Sequence, residues 1–308
     1  MKPFPNQVNL FNHLSTLIPG KLEIISREHS IRSSTFPAEV VRCRVNNDPV
    51  SLLCKYLNGM SHNNFGHRGA IEYEARIYED ILSKISLPSA KFYGLFTQAN
   101  DDRCMVIEFL DHGELLFRSL EENQIERSVI WIAEFHNLFQ DNYPKGINRY
   151  DADYYKIWAN KVDAIVSEKG NIYPWLINVS NFFRENIRIL TDAPLTLIHG
   201  EYYPNNIMIH RGQIKPIDWE SVAVAPGELD LAASIDGHDH SQKDKAIRTY
   251  IFHRWPDGDL DRNAFDERLL MAQIYFHFRW IGGKPRKFEK YANRFEDLQR
   301  MGKIARCL

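Results

Sequence analysis

The chain of 308 residues is poor in the features that mark several large protein classes. It has four cysteines, Cys43, Cys54, Cys104 and Cys307, with no CxxC pair and no zinc-type spacing, so they read as free thiols of a reducing compartment. No apolar run reaches the roughly 20 residues that cross a bilayer. The opening "MKPFPNQVNLFNHL" lacks the unbroken apolar core of a signal peptide. Neither sign of charge dominates: 38 basic residues stand against 40 acidic ones, which leaves no global electrostatic footprint for nucleic acid. There is no internal repeat and no low-complexity tract. What remains is a globular, cytoplasmic protein without membrane or nucleic-acid partners, whose oligomeric state is open. Its 44% hydrophobic content is ample for a packed core, and its length suits two domains or one large two-lobed unit.

The character of the chain changes along its length. From Lys21 to about Phe109 the segments are short and strand-like. "KLEII" and "EVVRCRV" are rich in β-branched residues, "NND" (Asn46 to Asp48) is a turn signal, and "VSLLCKYL" follows as a further strand. After the polar loop "NGMSHNNFGHRG", the stretch "AIEYEARIYEDIL" spaces Ile71, Ala75, Ile77, Tyr78, Ile81 and Leu82 on one helical face. "KFYGLFT" and "RCMVIEFL" complete an expected five-stranded sheet. Beyond Asp111 the pattern is helical, in "SVIWIAEFHNLF", "YYKIWANKVDAIV", "PWLINVSNFFRENI" and "ERLLMAQIYFHFRWIG". The expectation is an α+β protein, a small lobe over residues 1–110 and a larger helical lobe over 111–308, joined near Glu108 to Gly113.

One segment departs from both patterns. "LTLIHGEYYPNNIMI" followed by "IKPIDWE" reads as strand, loop, short strand, turn, short strand and an acid. Loops held by short strands are where catalytic groups commonly sit. Phosphoryl transfer needs a carboxylate to orient a hydroxyl nucleophile, together with an Asn oxygen and a second carboxylate to hold magnesium on the phosphates. Glu201, Asn206 five residues later and Asp218 twelve further on supply those groups. The chemistry alone also allows other metal sites.

His199-Gly200-Glu201-Tyr202-Tyr203-Pro204-Asn205-Asn206 resembles the HGDxxxxN loop of the aminoglycoside phosphotransferase and choline kinase-like family. Ile217-Asp218-Trp219-Glu220 is similar to that family's IDWE segment, the counterpart of the metal-binding DFG of protein kinases, and "APGELDLA" resembles the G-x-x-x-D-L-A stretch that follows it. The three motifs come in the family's order and spacing. The resemblance covers nearly the whole chain and implies a two-lobed protein-kinase-like fold, with a five-stranded antiparallel sheet in the N-lobe, a hinge and a mainly helical C-lobe.

The resemblance also implies roles. Lys55 stands where kinase-like folds keep the lysine of the α- and β-phosphates. Its expected partner is Glu74, with Glu72 on a different helical face. Between the first two strands, "REHSIRSSTFPAE" contains no glycine, so Ser33 and Ser34 are the candidates to cover phosphate, and a plain polar hairpin loop is the other reading. The backbone of Glu108, Phe109 and Leu110 is the expected adenine contact. ATP, or GTP in its place, and magnesium on Asn206 and Asp218 are the implied cofactors, with Glu201 and Asn206 catalytic. His136 and His199 read as structural groups, and His238 and His240 as parts of a solvated loop.

The acceptor is less legible. Ten acidic residues against four basic ones lie between Asp218 and Asp261, and in the resembled family such acids often line a pocket for ammonium groups. Asp236 and Asp239 are the pocket candidates, whereas Asp257, Asp259 and Asp261 decorate a turn. Tyr202, Tyr203, Trp219 and Trp280 fit either cation–π contacts or a core. The basic run from Arg279 to Arg306 reads as a solvated helical face. Two functions follow: a kinase that phosphorylates a hydroxyl of a small molecule, aminoglycoside-, choline- or amino-alcohol-like, or a catalytically silent relative that binds a nucleotide or a partner. Glutamate at 201, where the family has Asp, and the glycine-free loop favour the second. The joint presence of Lys55, Glu74, Asn206 and Asp218 favours the first.

Overall fold

The structure, a computed structural model, describes residues 4–30, 36–57, 67–98, 102–119, 123–168, 173–283 and 292–308. The chain divides into two compact units. One comprises Met1–Glu121 with Pro204–Ser221, the other Glu122–Tyr203 with Val222–Leu308.

The first unit begins with helix α1 (Gln7–Leu17), capped by the Asn6 side chain on the Asn9 N–H. Strands β1 (Leu22–His29), β2 (Ala38–Val45) and β3 (Asp48–Tyr56) follow. β2 and β3 are joined by Asn46 and Asn47, both at positive φ (52° and 73°), the backbone that a two-residue hairpin turn demands and asparagine tolerates. After helix α2 (Ile71–Asp80) come β4 (Phe92–Thr97), β5 (Arg103–Glu108) and the short β6 (Glu114–Leu115). The five-stranded antiparallel sheet has the order β1-β2-β3-β5-β4. Period-two alternation turns Leu52, Cys54 and Tyr56 of β3 into the core shared with Leu10 and Leu14 of α1. Lys55 therefore points to the opposite face, the side of α2.

Helices α3 (Gln124–Leu138), α4 (Ala152–Glu168), α5 (Trp175–Glu185) and the one-turn α6 (Arg188–Thr191) lead into strand β7 (Thr196–Ile198) of the second unit. The hairpin β8 (Ile207–His210) and β9 (Gln213–Pro216) belongs to the first unit, where β8 also pairs with β6. Strand β10 (Ala223–Ala225) then pairs antiparallel with β7. Helices α7 (Glu228–Ser234), α8 (His240–Arg254), α9 (Arg262–Gly283) and α10 (Ala292–Ile304) complete the second unit. The long α9 is its axis, burying Phe265, Leu269, Ile274, Phe278 and Ile281 among others. Among the described residues no helix is long and apolar enough to cross a membrane. The four cysteines are free.

Candidate active site

Asn206 and Asp218, twelve residues apart in sequence, flank one hairpin. Arg211 and Gly212, at φ 50° and 70°, turn β8 into β9 in the register Ile207↔Pro216 to His210↔Gln213. At the open end the Ile217 N–H donates to the Asn206 carbonyl at 2.8 Å. Asp218 itself has φ 68°, an uncommon backbone for a residue with a Cβ and one that concentrates at functional positions.

Lys55 meets this end of the hairpin. Its Nζ donates to Glu74 Oε1 and Oε2 at 2.9 and 3.0 Å and to Asp218 Oδ1 at 2.8 Å. Glu74 is wholly buried and also accepts the Trp219 N–H at 3.2 Å. Glu72, two residues earlier, turns outward and pairs with Arg103. Burial opposes the charge on Lys55, but Asp218 and Glu74 outweigh it and hold the ammonium well above the ordinary lysine range. Glu74 is raised by burial, with Lys55 pulling it down and Asp218 pushing it up. Two carboxylates thus share one charged lysine. Burial and then Asp218 push the neighbouring Glu220 up to about 8 against the pull of Arg68, whose Nη1 is 3.3 Å away.

The expected adenine-binding backbone is partly engaged. The Glu108 N–H donates to the Lys91 carbonyl at 2.7 Å and the Phe109 N–H to that of Ser51 at 2.9 Å. Among the described residues the Leu110 N–H has no hydrogen-bond partner. The Glu108 carboxylate accepts from Lys215 Nζ at 3.0 Å and from the Lys91 N–H at 3.1 Å. Ser33 and Ser34 lie outside the described residues.

Glu201 belongs to the second unit, and the turn that carries it is held by Asp230. This buried carboxylate accepts the His199 N–H at 2.6 Å and the Gly200 N–H at 2.9 Å, with Gly200 at φ 80°. His136 Nε2 lies 3.2 Å from Asp230 and its Nδ1 2.8 Å from the Tyr250 hydroxyl, so this histidine is a hydrogen-bonded core group. Burial lowers its pKa, against the pull of Asp230. His199 Nδ1 accepts the Glu201 N–H at 3.3 Å and braces the loop. A Cβ on Gly227 would lie 2.4 Å from the Tyr250 oxygen and 2.6 Å from His136 Nδ1, which accounts for the glycine of "APGELDLA". Asp230→Ala removes the acceptor of two loop N–H groups and the partner of His136 Nε2. It is expected to cost about 3 kcal/mol, or roughly 6–12 °C in thermal midpoint. A calorimetric scan showing a midpoint within a degree of wild type would mean that Asp230 does not hold the turn.

Sequence reasoning passed over Arg279. Its place in the basic run suggested a solvated face, but only 7% of it is exposed, because α9 runs through the core. Its Nη1 donates to the Gly200 carbonyl at 2.7 Å and lies 3.7 Å from Glu201 Oε1. Arg294 is likewise largely enclosed, with its Nη2 3.1 Å from Asp236. The pocket candidates have structural employment: Asp236 in that ion pair, and Asp239 as N-cap of α8, accepting the Gln242 N–H at 2.9 Å. Tyr202 and Trp219 are fully buried, donating to the Ser128 and Pro216 carbonyls. The other two aromatic faces already carry cations of the protein, Arg279 over Tyr203 at 5.7 Å and Arg294 over Trp280 at 4.7 Å. Asp236, His277 and Asp297 come within metal-binding distance of one another. Burial and then Arg294, Lys243 and Arg300 push His277 down to about 3, and that positive field opposes a cation there. His240 is exposed but opens α8, and His238 just before it is half-buried with its Nε2 enclosed, so the expected solvated loop does not describe the pair.

No protein-family model and no curated protein sequence matches the chain. Solved structures do. A GDP complex of a variant of aminoglycoside 2'-phosphotransferase-IIIa superposes with a TM-score of 0.68 at 12% identity, over 96% of this chain and 97% of the other. Choline kinase from Cryptosporidium parvum Iowa II gives 0.65 at 14%, over 97% and 96%. LicA, a choline kinase of Streptococcus pneumoniae, solved with AMP, gives 0.61 at 13%, over 98% and 100%. With its N-terminal five-stranded antiparallel sheet and helical C-terminal part, the chain has the fold of these phosphotransferases and kinases.

Proposed function

We propose that the chain is a member of the aminoglycoside phosphotransferase and choline kinase-like family, transferring the γ-phosphate of ATP or GTP, with magnesium, to a hydroxyl of a small molecule. The observation that carries this reading is the charged Lys55, held between Glu74 and Asp218 on the buried face of the sheet. A lysine with only a structural role has no need of two acids from two distant segments. Nucleotides are present in the GDP and AMP complexes of the fold neighbours, which act on aminoglycosides and choline.

In this reading residues 1–110 form the nucleotide-binding lobe and 111–308 bring the catalytic loop and acceptor pocket. The Leu110 N–H is the donor left for the base, since the Glu108 and Phe109 N–H groups are engaged within the sheet and its edge. Lys55 neutralises the α- and β-phosphates, and Glu74 keeps its ammonium in place. The Asp218 carboxylate and the Asn206 amide oxygen are hard donors that suit magnesium, and both residues stand at the open end of the hairpin, where the Ile217 N–H bonds the Asn206 carbonyl. When bound, that ion offsets charge on the phosphate oxygens. Glu201 orients the acceptor hydroxyl and accepts its proton. Of the two pocket candidates, the exposed Asp239 remains for an ammonium group of the acceptor, while Asp236 is paired with Arg294 in the positive field that opposes a cation.

The test is a screen of ADP release across aminoglycosides, choline, homoserine and other amino alcohols. Stimulation by one class supports the reading; a protein unstimulated by any, yet binding nucleotide, supports the silent relative. Lys55→Ala is expected to weaken productive ATP binding and, by stranding a buried acid, to destabilise the first unit by about 3–5 kcal/mol. Glu74→Ala has a milder effect on binding, and in the double variant the losses are non-additive. Strict additivity in isothermal titration and unfolding would remove Glu74 as the partner.

A further inference from the structure

We propose that Arg279 is a positioning residue for Glu201, gripping the backbone of its turn and restraining the long carboxylate by charge. The inference rests on the phosphotransfer reading, in which Glu201 is the base.

Arg279 projects from a 22-residue helix whose flanking Tyr275, Phe276, Phe278 and Ile281 are all buried, so its guanidinium starts from a rigid element. Its 2.7 Å bond to the Gly200 carbonyl completes a hold on that glycine from both sides, because the Gly200 N–H is taken by Asp230. The same Nη1 stands 3.7 Å from Glu201 Oε1. At that separation the contact is Coulombic and too long for a hydrogen bond, so it orients the carboxylate while leaving it able to accept a hydroxyl proton. Both groups are more than nine-tenths buried, at 7% and 4% exposure, where each charge is tolerated because of the other. Burial disfavours the guanidinium charge, and Glu201 is the largest influence restoring it.

Arg279 is itself braced. Its guanidinium lies over the Phe276 ring at 6.0 Å; Tyr275, one turn before it on α9, has its hydroxyl 2.5 Å from that of Tyr154, on which Tyr150 stacks at 3.8 Å. Glutamate has one more torsion than aspartate, and a fixed counter-charge beside it removes that freedom. Arg279 is thus the physical reason a glutamate can serve on this loop. Lysine is a poor replacement, since a compact ammonium is more strongly hydrated than a guanidinium and costs more to bury at 7% exposure.

Because the acceptor is unidentified, the probe is ATP with magnesium and water as acceptor. R279A, R279K, E201Q and the double variant R279A/E201Q are compared with wild type, each with and without about 50 mM guanidinium, far below denaturing concentration. R279A and R279K are expected to lose about tenfold to a hundredfold in kcat with KM for ATP unchanged. Guanidinium restores part of the rate to R279A and none to R279A/E201Q, which a merely structural arginine would not show. Thermal unfolding of wild type, R279A, E201Q and the double variant is expected to be non-additive, because only the single loss of Arg279 strands a buried carboxylate. Additive unfolding shifts, or a kcat loss that guanidinium leaves untouched in folded protein, would overturn the proposal. A wild type no faster than E201Q sinks the phosphotransfer reading and with it the catalytic consequence of Arg279, while the unfolding cycle still decides whether the two residues are paired.

Discussion

Replacing Asp218 by asparagine is expected to lower kcat by about three orders of magnitude or more, because in the proposed reading a magnesium ligand and its several kcal/mol of charge stabilisation are lost. The fold should survive. Asparagine tolerates the left-handed backbone that Asp218 adopts at φ 68°, and Lys55 keeps Glu74 as its partner. The measurement is ADP release against magnesium concentration, with circular dichroism to establish that the variant is folded. A folded Asp218→Asn protein with wild-type turnover and magnesium dependence would show that this residue does not hold the ion.

Glu201→Gln is expected to reduce the rate by about 10²–10⁴, since the amide keeps the size of the side chain but neither its charge nor its basicity. Glu201→Asp is expected to lose about a hundredfold, because withdrawing the carboxylate by one methylene shifts it about 1 Å from the position that Arg279 and the Gly200 turn define. A gain in rate on Glu201→Asp would identify a degraded kinase. If wild type and Glu201→Gln are equally inert with every acceptor, the silent-relative reading takes over.

Much of the architecture was written locally. Alternating β-branched residues and the Asn-Asn turn announced the β2–β3 hairpin, and the apolar spacing from Ile71 to Leu82 announced α2. Such patterns are legible because each depends on neighbours two to four residues away. Helix α8 was not legible: only Ala246, Tyr250 and Arg254 along its length are buried, so no apolar stripe marks it. The loop from His199 to Asn206 and the acid at 218 could likewise be picked out as a chemical set, since their spacing survives in the linear order.

Other features depend on contacts that leave no spacing in the chain. Glu74 and Glu72 are the same residue type, and Glu74 is the buried one because it meets Lys55 at a separation of 19 residues and Trp219 at 145. Residues 204–221 pack with the N-terminal unit because β8 finds an edge in β6, a pairing of segments about a hundred residues apart. Arg279 looks like one more member of a basic run until α9 is threaded through the core, where the Gly200 carbonyl and the Glu201 carboxylate are what make a buried charge tolerable. Local periodicity tells which side of an element is turned inward; which charge waits there for it is set by segments that meet only when the chain is folded.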